Sequence, residues 1–147
     1  METPIEVKIR IARIQETRFS INEKISTLSD IKFDSVDIRL GYNLNCDIAN
    51  NQFTINIKID YFSKIESSTL VSLDVANTFE IQDMSSHFVQ RENEFDDKSN
   101  VVPQMLRLSI GSTRGVLAAK VVGTALANMP LPMFNVSALL EQKTKRQ

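Results

Sequence analysis

Residues 36–48 read VDIRLGYNLNCDI, and the phase of this stretch decides the fold. Every even position is apolar (Val36, Ile38, Leu40, Tyr42, Leu44, Cys46, Ile48), and every odd position is polar or glycine. A side-chain period of two belongs to an extended strand with one dry and one wet face. Asn50 and Asn51 follow, and asparagine tolerates the positive φ that a turn demands. The alternation resumes in FTINIKIDYF (53–62), with Phe53, Ile55, Ile57, Ile59 and Tyr61 in phase. After the polar turn SKIESS it continues through TLVSLDVANTFEI (69–81), where Val71, Leu73, Val75, Phe79 and Ile81 share a face. Three half-buried strands joined by short polar turns predict an antiparallel meander.

Toward the N-terminus, Ile5, Val7, Ile9 and Ile11 alternate with Glu6, Lys8 and Arg10, which predicts another strand. Its phase breaks between Ile11 and Ile14, as at a bulge. Toward the C-terminus, DMSSHFVQRENEFDDKSN (83–100) shows no sustained period and is acidic, so it reads as a long loop. Pro103 then opens a helix over 103–127, with Leu106, Ile110, Leu117 and Val121 as its core stripe and Arg107 and Arg114 on its wet side. In NMPLPMFNVSALL (128–140), Pro130 and Pro132 forbid helix or central strand, and Asn135 caps a short last helix. The expected class is α+β. One four-stranded antiparallel sheet carries a long and a short C-terminal helix on one side, within a single domain over 1–147.

Chemistry is sparse. Apolar residues make up 42% and charged residues 24% of the 147, with net charge −1, so the chain is globular and has no basic field for nucleic acid. The lone Cys46 excludes an intrachain disulfide or a multi-cysteine zinc site and points to a reducing cytosol. The opening METPIEVKIRIARIQ lacks the apolar run of a signal peptide. Gly115–Ala127 is too short and carries Lys120, whereas a membrane span needs about 20 apolar residues. His87, the only histidine, reads as a solvated loop residue, and Cys46 as a small apolar filler on a dry strand face. Glu92, Glu94, Asp96 and Asp97 read as a solvated charge run, with no turn glycine to make a calcium loop. Gly111, Gly115 and Gly123 fall inside the helix and so form no phosphate loop. No enzyme activity, cofactor or metal is expected.

What remains is apolar surface. The long helix carries Ala118, Ala119 and Val122 outside its core stripe, more apolar circumference than one sheet covers, which predicts a homo-oligomer interface. Met129, Leu131, Met133 and Phe134 sit in a loop whose prolines keep it irregular. Burying each such side chain is worth about 1.5–3 kcal/mol, so they either cap the core or wall a groove for other proteins' apolar segments. Methionine is common on promiscuous binding surfaces.

These segments together resemble the SecB export-chaperone family. IARIQETRFSI (11–21) is similar to its first strand, and the three alternating segments fall where its other strands run. VPQMLRLSIGSTRG resembles the start of its long helix, and NMPLPMFNVSALL its proline-bearing crossover followed by an Asn-led short helix. The resemblance implies a dimer of dimers and an ATP-independent holdase of the bacterial cytoplasm. Such a holdase binds unfolded preproteins and passes them to the SecA motor. It also implies a client groove lined by Tyr61, Phe62, Val71, Phe79, Met129, Leu131, Met133 and Phe134, none of them core, and a SecA contact at Asp74. The chain departs from the family in being nearly neutral. Arg18, Asn22 and Ser72 stand at its other acidic contact positions, and EQKTKRQ replaces its longer tail. A SecB-like chaperone dedicated to one client, such as an antitoxin, is the alternative, and an interaction module or small-ligand carrier is a third.

Overall fold

A computed structural model describes residues 6–23 and 32–145. Its main sheet holds β1 (Ile9–Ile21), β2 (Val36–Asp47), β3 (Gln52–Ser63) and β4 (Ser68–Ile81), all antiparallel in the order β1-β4-β3-β2. The turn residues do what their chemistry allows: Asn51 takes φ 55° between β2 and β3, and Ser67 takes φ 51° between β3 and β4. The phase-two apolar residues of β3 and β4 form the inward face, and Ile55, Ile57, Ile59, Leu73 and Val75 are wholly buried there.

β1 explains its own broken phase. Its register against β4 slips between Ile11 and Arg13 and again between Glu16 and Arg18. Each slip absorbs one residue, so Ile9, Ile11, Ile14, Phe19 and Ile21 all pair with odd-numbered residues of β4. They therefore share the face that carries the helices. The strand starts later than the alternation from Ile5 predicts, and Ile5 itself lies outside the described residues.

The long helix, α1 (Val102–Lys120), packs on β3 and β4. Its first turn contains Pro103, and Asp97 caps it, accepting from Val101 N at 3.0 Å and Val102 N at 2.7 Å. Leu106, Ile110 and Leu117 are buried, with Val121 just beyond. The helix stops at Lys120 and does not reach Ala127. Gly123 takes φ 80°, which no helix accommodates, and a 3-10 turn at Ala125–Asn128 follows. α2 (Val136–Lys145) begins at Asn135, whose Oδ1 accepts from Ala138 N at 3.1 Å.

The acidic segment is not a plain loop. β5 (Phe88–Arg91) and β6 (Glu94–Asp97) form an antiparallel hairpin. Phe88 and Phe95 pack against Phe53, with ring centroids 5.5 and 5.3 Å from it, and pin the hairpin to the end of the sheet. His87 is buried at 7% exposure, its Nδ1 2.8 Å from Ser99 Oγ, and so is not the solvated residue its neighbours suggest. Among the described residues, no helix is long and apolar enough to cross a membrane.

Candidate functional site

The proline loop between α1 and α2 is held by its carbonyls. Tyr61, 1% exposed, donates its hydroxyl to Met129 O at 2.9 Å. Arg114 donates from Nε to Leu131 O and from Nη2 to Pro132 O, each at 3.1 Å. The helix period puts Arg114 on the wet side, but its long side chain folds back to the loop and is half-buried, whereas Arg107 is exposed. Burial pushes the Tyr61 phenol up to about 12, with the Arg114 charge pulling the other way.

The eight residues expected to line one groove do not converge. Tyr61 and Val71 are register partners at the loop's end of the sheet, and Met129 and Leu131 close over that end. Both loop residues are buried, Leu131 at 3% exposure, and belong to the core. Met133 is 94% exposed and Phe134 half-buried against the core. Phe79 pairs with Phe53, eight residues along β4 from Val71, which at about 3.4 Å per residue sets it roughly 27 Å away. Phe62 points to the outer sheet face, where the Arg39 guanidinium lies 4.9 Å over its ring.

Asp74 is also on the outer face, half-buried, with Arg18 of β1 and Lys58 of β3 as its register neighbours. Ser72, next along that row, donates its hydroxyl to Asp60 at 2.6 Å. An acidic residue between two cations presents little negative field to a partner. Ala118, Ala119 and Val122 are exposed, Val122 at 74%.

Sequence reasoning missed a concavity of about 520 Å³ between β2, the β5–β6 hairpin and the two helices. Tyr42, Leu44, Phe95, Val102, Pro103 and Leu140 line it together with Asn43, Asn93, Glu94, Asp97 and Asn100, so its wall is as polar as it is apolar. Among the described residues, no strand pairs with the outer side of β2. The Tyr42 hydroxyl donates to Leu139 O at 3.0 Å and ties α2 to this edge. The even phase of β2 supplies Tyr42 and Leu44, but the wall contributed by the hairpin has no periodic signal.

No family model and no curated protein matches the sequence. Among solved structures, the chain is similar to a SecB-like chaperone of Mycobacterium tuberculosis in complex with a ChAD peptide from the HigA1 antitoxin. The TM-score is 0.54 and the identity 14%, over 86% of this chain and 90% of that one. A protein of unknown function from Streptococcus agalactiae aligns at TM-score 0.37 and 12% identity, over 89% of this chain and 100% of that one. The four-stranded antiparallel sheet with its helices thus matches the fold of a chaperone of distant sequence, and the fold of this chain is SecB-like.

Proposed function

We propose that this chain, as one domain over 1–147, is a SecB-like holdase that binds extended apolar segments of unfolded proteins without ATP. It works in the bacterial cytoplasm as a homo-oligomer, a dimer of dimers, and catalyses no reaction. The observation that carries this reading is the concavity beside the outer side of β2, where apolar side chains stand among polar ones. An extended segment needs both backbone partners along an edge and a pocket for alternate side chains, and this place offers the two together. The exposed Met133 adds a contact that costs no folding energy to expose.

A dedicated client suits the chain better than general delivery to SecA, because Asp74 lies between Arg18 and Lys58. The antitoxin peptide bound by the mycobacterial chaperone makes an antitoxin the first client to try. Suppression of aggregation of a chemically unfolded protein tests the general reading. Leu44→Asp, which puts a charge in the concavity, should weaken client affinity roughly tenfold or more, the value of one buried leucine. Wild-type protein that leaves aggregation unchanged would sink the proposal. Full affinity in Leu44→Asp would sink the assignment to this concavity.

A further inference from the structure

On the outer face of the sheet, opposite the helices, charge is balanced at the two ends and unbalanced in the middle. The carboxylates at the ends have donors. Arg10 donates to Glu80 at 2.8 Å and Asn50 to Asp47 at 2.8 Å, while Arg39 donates to Asp37 at 3.0 Å and Ser72 to Asp60 at 2.6 Å. In the middle, Arg13, Arg18 and Lys58 are exposed and form no ion pair among the described residues. Arg18 and Lys58 flank Asp74 in the register, yet neither pairs with it, and Asp74 Oδ1 is buried with no hydrogen-bond partner among the described residues. Three cations with no partner thus stand around one carboxylate.

Their spacing follows from the strands. Arg13 lies opposite Thr78 and Arg18 opposite Asp74, four residues apart on β4, which at about 3.4 Å per residue is roughly 14 Å. Lys58 lies two strands from Arg18, roughly 10 Å at about 4.8 Å per strand. Beside Lys58, Gly41 brings no side chain to the face, and a hollow of about 380 Å³ opens among Thr17, Gly41, Asn43, Asn56, Lys58 and Asp74.

We infer that this face is a docking surface for an extended acidic segment of another protein. In an extended chain the side chains at i and i+4 point the same way and span the step from Arg13 to Arg18. Lys58 meets the second carboxylate from the opposite flank, and the hydroxyl and amides of Thr17, Asn43 and Asn56 suit the segment's backbone. A nucleic acid suits the face less well. The chain's net charge is −1, Asp74 opposes phosphate, and the ring on this face, Phe62, lies under Arg39 instead of open to a base. The inference does not depend on the holdase reading.

Fluorescence anisotropy tests it with three labelled probes: a peptide alternating glutamate and threonine, the same peptide with glutamine for glutamate, and oligothymidylate. The glutamate peptide should bind on the order of tenfold more tightly than the glutamine peptide and should weaken as salt rises. Replacing Arg18 and Lys58 together by Gln should lower its affinity roughly tenfold, as expected for two exposed ion pairs at low ionic strength. Asp74→Asn, which removes the opposing charge, should raise it severalfold, a gain that a merely structural carboxylate would not give. Arg13→Gln, at a fully exposed position, should lower it severalfold and keeps the test decisive if Asp74→Asn disturbs the sheet. No binding of the glutamate peptide, or equal binding of the glutamine peptide, overturns the proposal. Binding that survives both the Arg18 and Lys58 replacement and Arg13→Gln overturns the assignment to this face. Oligothymidylate bound more tightly than the glutamate peptide overturns it in favour of a nucleic acid.

Discussion

At the scale of single residues, two neighbours in one loop have opposite meanings. Leu131 is buried and Met133 is bare, although the sequence presents them as equivalent members of one apolar run. Leu131→Ser should cost about 2–4 kcal/mol, as core truncations do, while Met133→Ser should stay within about 0.5 kcal/mol in urea denaturation. The sequence could place hydrophobes in the loop but could not say which of them turn inward, because the prolines remove the periodicity that would order them. Tyr61 gives a test in pH. Its folded pKa, about 12, lies above its ordinary value of 10.0, so the folded state holds the proton more tightly. That contribution is fully present below pH 10 and is lost as pH rises from about 10 through about 12, since the unfolded chain ionises first. Tyr61→Phe should flatten this alkaline fall in melting temperature. Burial also raises Tyr42 and Cys46, so a shallower slope remains.

Among the elements, β2, β3 and β4 were legible because period two survives wherever one sheet face is dry and the other wet. The Asn135 cap was legible too, since a short side chain that accepts from a helix N–H must sit at the helix start. α1 was read too long. Its apolar pattern runs on to Ala127, and only the backbone of Gly123, at φ 80°, ends it. The β5–β6 hairpin was not legible at all. Its strands have four residues each, too short for a period to emerge, and tertiary packing of Phe88 and Phe95 on Phe53 holds them. One acidic residue of that hairpin does structural work. Asp97→Ala should cost about 1–2 kcal/mol by uncapping α1, whereas the exposed Glu92→Ala should change nothing measurable.

For the whole molecule, the side formed by β1 and α1 is unusually apolar. Ile11 and Leu108 flank one hollow on it, each 46% exposed. Val122 stands exposed just past the end of α1, and at that end Lys120 reaches Glu16 at 2.7 Å and covers the Phe19 ring. This is the face proposed for assembly. Val122→Asp should lower the mass seen by light scattering at micromolar concentration while leaving protomer stability within about 0.5 kcal/mol. A monomeric wild type would refute the assembly. The sheet order also has a consequence for synthesis. β1 is made before the other strands of its sheet, yet its partners run from Val71, opposite Ile21, to Ile81, opposite Ile9. At about 5–20 residues per second, the ribosome needs several seconds to deliver them. Through that interval the newborn β1 is an unpaired ribbon rich in isoleucine and arginine, while β2, β3 and β4 can already zip together in the order they emerge. If the proposed activity is right, a protein that shelters unfinished chains is, for its first seconds, a chain of the kind it shelters.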